Sequence, residues 1–173
     1  MNIPNRLTLL RIVLVPVCLL LAGYDQYPVA AAVFILAALT DTLDGYIARK
    51  KKLITNFGKF ADPIADKILV LAMMIVLCHE ALLPVWLPVI LLFRELAVDG
   101  LRMVAAEQGR VVAAGWSGKI KTVSQMVLIV YALVIPYGTL TVVLSAVVAA
   151  LTLYSGIEYF WKLRDLFQKD LGI

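Results

Sequence analysis

Asp41-Thr-Leu-Asp44-Gly45-Tyr-Ile-Ala48-Arg49-Lys-Lys-Lys-Leu-Ile-Thr55-Asn-Phe-Gly58-Lys-Phe-Ala-Asp62-Pro-Ile-Ala-Asp66 sets four aspartates and an arginine at fixed spacing inside an otherwise apolar chain. An ionised carboxylate costs on the order of 2.5–3.5 kcal/mol at the centre of a bilayer helix. Such groups persist only near an interface, beside a polar cavity or around a cation. Four together repel one another unless a divalent metal neutralises them.

The surrounding chain is of membrane type. Of its 173 residues 62% are hydrophobic and 16% charged, against about 25% charged in an ordinary soluble domain. The expected fold is an all-α integral membrane protein. One domain over residues 1–173 is expected, with six transmembrane helices of roughly 20 residues and short loops. Apolar runs fall at about Leu7–Ala22, Val29–Ala48, Phe60–Leu77, Leu83–Ala106, Ile120–Ile135 and Leu140–Phe160. Arg11 and Pro16 interrupt the first run, which reads as a retained span rather than a cleaved signal. Cys18 and Cys78 lie in apolar stretches without paired spacing, so they read as small buried hydrophobes, and His79 receives no role.

Between the runs, the polar segments alternate in charge. Residues 23–28, 79–84 and 136–139 contain no Lys or Arg. Arg49–Lys52 with Lys59, then Arg110, Lys119 and Lys121, then Lys162, Arg164 and Lys169 form the other set. Basic loops face the cytoplasm, so six crossings place both termini and every basic loop inside. The net charge of +4 is therefore a topology and lipid-headgroup signal. No nucleic-acid motif accompanies it, and a nucleic-acid partner is excluded from the reading.

With this topology the second span descends to Arg49 and the third returns from Gly58. Asp41 and Asp44 are three apart, Asp62 and Asp66 four apart, so each pair shares a helical face. Asp41 lies about 12 Å along the helix from Arg49, shallow enough for a pocket open to the cytosol. Oxygen ligands without His or Cys suit Mg²⁺ or Mn²⁺. Two such ions sharing four carboxylates suit displacement at phosphorus. Gly45 and Ala48 keep this face small, Arg49 offers a planar fork to a phosphate, and Gly58 permits a turn or close approach.

The pattern D-x2-D-G-x2-A-R-x8-G-x3-D-x3-D, matched at all eight defining positions without a gap, resembles that of the CDP-alcohol phosphotransferase family. The resemblance implies a CDP-linked lipid donor, an alcohol acceptor and release of CMP, on a six-helix membrane fold. It implies Asp41, Asp44, Asp62 and Asp66 as ligands of two divalent cations, with Asp66 also the general base that activates the acceptor hydroxyl. Asn2, Ile3, Pro4, Asn5, Gly45, Ala48, Arg49, Thr55 and Gly58 would form the CDP-diacylglycerol site, with Arg49 on the pyrophosphate.

Three further stretches are similar to the branch of the family whose acceptor is glycerol 3-phosphate. They are Asn2–Thr8 with Arg11 and Pro16, then Phe93–Leu96 with Gly100–Arg102, and Ala113–Thr122. That similarity implies a phosphatidyl transfer giving phosphatidylglycerol phosphate. Its acceptor pocket would draw on Arg94, Arg102, Arg110, Lys119 and Lys121, with Glu95 or Asp99 available to pair with Arg94. Resemblance to the family further implies a homodimer. The basic loops imply membrane-lipid contacts and the topology an active site open to the cytoplasm, and a bacterial plasma membrane is expected because no organelle-targeting segment precedes the first span. The tail Glu158–Asp165 reads as an interfacial anchor without chemistry. Within the class, inositol phosphate, serine or phosphatidylglycerol are alternative acceptors. Intramembrane prenyltransferases have more spans and other spacings. A divalent-cation transporter would line a path with carboxylates, but the outer half has only Asp25 and Glu80, both in loops, and no carboxylate at mid-depth completes it.

Overall fold

A computed structural model of the chain describes residues 3–51, 56–110, 112–113, 115–135 and 137–166, and for residues 3–4, 41–51, 56–57 and 59–60 the helix backbone alone. The described residues form six α-helices and no strand. They are α1 (Ile3–Gly23), α2 (Tyr27–Lys51), α3 (Asn56–His79), α4 (Trp86–Glu107), α5 (Trp116–Val134) and α6 (Thr139–Lys162). The six helices follow the six apolar runs in order.

Short reversals connect most of them and make neighbours antiparallel. Asp25 (φ 58°) turns the chain from α1 to α2, and Ala81 (φ 55°) turns it from α3 to α4. An L-residue with a Cβ adopts this left-handed conformation at a cost, which a two- or three-residue reversal offsets by keeping both helices in contact. The phenol of Tyr27 donates to Asp25 Oδ1 (2.6 Å), fixing the first turn. The run expected to start at Leu83 becomes helical only at Trp86, because residues 80–85, with Pro84, are spent on the turn. Gly109, at φ 72°, closes α4, where a side chain would be strained.

Two apolar clusters hold the helices. The larger draws on all six helices around Phe34, Leu69, Met73, Leu77, Leu128 and Ile129, all essentially inaccessible. The smaller joins α4 to the end of α6 through Val98, Leu101, Ala105, Tyr159 and Leu163. Between them the helices switch character. Along α4 the order is Leu91, then Arg94 and Glu95, then Val98; along α6 it is Ala149, then Thr152 and Ser155, then Tyr159. A polar layer thus lies between two apolar ones.

The outer surface is the reverse of a soluble protein's. Val13, Leu20, Leu36, Ile75, Val89, Phe93, Val123 and Leu153 are all exposed, a distribution that water would penalise and lipid would not. Three helices, as Asn5–Gly23, Trp116–Val134 and Thr139–Lys162, are long and apolar enough to cross a membrane. In α2 the apolar part is Tyr27–Thr40. The motif aspartates then interrupt α2 and α3, and Arg94, Glu95, Asp99 and Arg102 interrupt α4.

Candidate active site

The backbone of α2 carries Asp41, Asp44, Gly45, Ala48 and Arg49 on its last turns, and α3 carries Gly58, Asp62 and Asp66 on its first. Side chains on α2 from Asp41 onward, and those of Ile3 and Pro4, lie outside the described residues, as do Asn2 and Thr55 entirely. Among the described residues no three carboxylate, thiol or imidazole groups converge on one point; two of the four aspartates are not among them. Asp62 and Asp66 are described, one turn apart and both half-buried, and Gly58 is buried one turn before Asp62.

The first helix closes this end of the site. Thr8, fully buried, donates its hydroxyl to Asp62 Oδ1. Arg11, one turn on and also fully buried, donates from Nε to the carbonyl of Ala37 (3.4 Å), one turn before Asp41. A guanidinium enters an apolar helix contact only with polar partners around it. Asn5, half-buried, lies one turn before Thr8. So α1 lines the same end of α2 and α3 that carries the motif. Thr8 and Arg11 had a sequence signal, polar residues at helical spacing in an apolar run, but their roles require knowing which helix α1 meets.

Of the five basic residues expected to hold an acceptor, the structure brings three together. Arg94, Arg102 and Lys121 belong to the polar layer where α4, α5 and α6 meet. Arg94 Nη1 lies 3.3 Å from Glu95 Oε1, and its Nη2 donates to Ser155 Oγ at 2.6 Å. Lys121 pairs with the same Glu95 oxygen. Lys67, directly after Asp66, reaches Glu95 Oε2 at 3.9 Å and pairs closely with Asp99. Arg102 Nη2 donates to the phenol oxygen of Tyr159 at 2.8 Å. Gly156 lets α6 pass this layer, since a methyl there would sit 3.2 Å from Arg94 Cγ.

The charge count decides what this layer suits. Among the described residues, Lys67, Arg94 and Lys121 meet Glu95 and Asp99, Arg102 has a phenol for partner, and Asp66 is the residue before Lys67, so cations outnumber carboxylates in and beside this layer. Among the described residues, neither Arg94 Nε nor Arg102 Nε, both buried, finds a hydrogen-bond partner. A phosphate monoester near pH 7 carries a charge of about −1.5 to −2. Lys67, the residue after Asp66, pairs with Glu95 and Asp99, which links this layer to the aspartate motif.

The other two expected residues lie elsewhere. Arg110 pairs with Asp165 at the surface, both about half exposed. Lys119 is exposed and sits 4.8 Å over the ring of Trp116, beside an apolar groove of α5 and α6. Two residues along a helix are about 200° apart, so Lys119 and Lys121 point opposite ways. Sequence reading missed Lys67, Ser155 and Tyr159; the tail that reads as an anchor supplies the last of these.

Comparison with known proteins agrees with the motif. Residues 1–154 match the family model for CDP-alcohol phosphatidyltransferase. A Bacillus subtilis relative named CDP-diacylglycerol–glycerol-3-phosphate 3-phosphatidyltransferase is 41% identical, over 93% of this chain and 94% of its own length. A Mycobacterium tuberculosis relative named probable phosphatidylglycerophosphate synthase is 42% identical, over 95% and 83%. A Sodalis glossinidius relative with the same name as the first is 39% identical, over 97% and 98%. The chain belongs to the CDP-alcohol phosphatidyltransferase family.

Proposed function

We propose that this chain transfers the phosphatidyl group of CDP-diacylglycerol to sn-glycerol 3-phosphate, giving phosphatidylglycerol phosphate and CMP. The names of the similar proteins support the donor and the acceptor. The observation that carries the acceptor is the excess of cations in the layer around Arg94, Arg102 and Lys121, which complements a phosphate dianion near the start of α3, where Lys67 follows Asp66. Serine would leave that excess unanswered.

Asp62 and Asp66 present hard oxygen donors from one face of α3, and Thr8 orients one Asp62 oxygen. That donor set fits Mg²⁺ or Mn²⁺. Asp41, Asp44, Asp62 and Asp66 would hold two such ions, which when bound offset charge on the pyrophosphate and on departing CMP. Asp66 takes the proton of the acceptor hydroxyl as that oxygen attacks the lipid-side phosphorus. The new O–P bond forms while the pyrophosphate P–O bond breaks, and CMP leaves with the electron pair. Arg49 holds the pyrophosphate, and Asn2, Ile3, Pro4, Asn5, Gly45, Ala48, Thr55 and Gly58 surround the nucleotide. Arg94, Arg102 and Lys121 seat the acceptor's phosphate so that its hydroxyl meets Asp66.

In this reading all six helices cross the membrane, both termini are cytoplasmic, and the aspartates sit just below the cytoplasmic face. The outward apolar surface of the helices supports it. Acceptor choice tests the proposal. Purified protein given CDP-diacylglycerol and a mixture of glycerol 3-phosphate, inositol phosphate and serine should form phosphatidylglycerol phosphate alone. Any other product in excess refutes the acceptor assignment while leaving the family chemistry intact.

A further inference from the structure

Tyr159 is buried at 4% exposure near the end of α6, and every hydrogen-bonding position of its hydroxyl is used. The oxygen accepts from Arg102 Nη2 (2.8 Å) and from the backbone N–H of Gly115 (2.9 Å), and the hydroxyl donates to the carbonyl of Ala113 (3.3 Å). A phenol has one donor and two acceptor positions, so the group is saturated. Its ring lies under two guanidiniums, Arg94 at 5.5 Å and Arg102 at 5.1 Å from the centroid.

The kind of partner matters. Arg94 and Lys121 are held by Glu95, which cancels part of their charge. Among the described residues no carboxylate pairs with Arg102. A neutral ring and a neutral hydroxyl fix its position instead, and they leave its charge in place. The same hydroxyl ties down the segment before α5, which leads directly to Lys121. One side chain thus sets the relation between a cation on α4, the start of α5 and the end of α6.

We propose that Tyr159 is the positioning residue of the acceptor pocket, holding Arg102 and the backbone groups of Ala113 and Gly115 ready for the phosphate of the acceptor while leaving the charge of Arg102 in place. This rests on the acceptor reading above. It assigns a role to a tail that lies outside the aspartate motif in sequence.

Kinetics of Tyr159→Phe test it, because that variant keeps the ring and its stacking and removes only the hydroxyl. The KM for glycerol 3-phosphate should rise about tenfold, the factor expected for losing one ordering hydrogen bond to the binding cation. The KM for CDP-diacylglycerol and kcat should stay within about twofold, a split that general loosening of the fold would not give. Should Tyr159→Phe fail to fold, Gly115→Pro suits the backbone φ of −73° but sets a ring carbon where the amide hydrogen met the phenol, so it breaks this bond and pushes the loop off the same oxygen. It must then raise the same KM. An unchanged acceptor KM, or equal rises for both substrates, overturns the proposal. Arg102→Ala measured alongside separates the two levels. If it raises the acceptor KM while Tyr159→Phe does not, only the role of Tyr159 fails. If neither raises it, the acceptor pocket itself is wrongly placed, and this proposal falls with it.

Discussion

Replacing Glu95 by Gln should destabilise the protein more than any exposed charge change, and the structure gives the size of the effect. Glu95 is 8% exposed and stands between Arg94, Lys121 and Lys67. Lys121 and Arg94 are themselves 5% and 7% exposed. Gln keeps the volume and one acceptor oxygen but removes the charge that answers two buried cations. Removing one partner of a buried pair costs about 3–5 kcal/mol, and the retained acceptor argues for the lower end, about 3 kcal/mol. At about 2–4 °C per kcal/mol for a chain of this length, the midpoint should fall by roughly 6–12 °C. A thiol-reactive fluorophore reads this in a Cys78→Ala background, since Cys78 is partly exposed whereas Cys18 is fully buried and becomes reactive only on unfolding. The double variant Glu95→Gln with Lys121→Met should regain at least half of the loss, because an apolar side chain removes the stranded charge. A shift below 2 °C for the single variant, or no recovery in the double, would show that the cations are not neutralised through Glu95.

Further expectations follow from the site. Asp66→Asn should abolish CMP release while CDP-diacylglycerol still binds, as read by ligand-induced thermal stabilisation; turnover near the wild-type rate would remove Asp66 as the base. Thr8→Val keeps shape but loses the hydroxyl on Asp62, so half-saturation by Mn²⁺, followed by electron paramagnetic resonance and by turnover, should weaken about tenfold. Unchanged Mn²⁺ binding would mean that Asp62 needs no orienting partner. Arg110→Ala should leave the acceptor KM within about twofold and stability within about 1 kcal/mol, since its pair with Asp165 is half exposed; a large rise in KM would return Arg110 to the pocket.

The helices and the motif were legible because both rest on local rules. Apolar runs separated by turn residues give the six elements, and i,i+3 and i,i+4 spacing puts Asp41 with Asp44 and Asp62 with Asp66. The polar layer of α4, α5 and α6 was legible only in residue type. Arg94, Arg102 and Lys121 stand out as cations in apolar runs, but grouping them with Lys119 ignored helical direction, which turns Lys119 away from Lys121. Arg110 belongs with a residue 55 positions later. Tyr159 gave no local sign at all. An aromatic near a basic helix end looks like an interfacial anchor, and only the crossing of α6 with α4 brings it under two arginines. Thr8 likewise gains meaning from a contact 54 residues away. What escaped the sequence is tertiary: which helix faces which, and at what height.

The most direct test of the central claim is CMP release by detergent-purified protein supplied with CDP-diacylglycerol. The account predicts release that requires both glycerol 3-phosphate and Mg²⁺ or Mn²⁺, and that is lost when either is withheld. Folded protein that releases no CMP with glycerol 3-phosphate and metal present, or releases it equally without the acceptor, would contradict it.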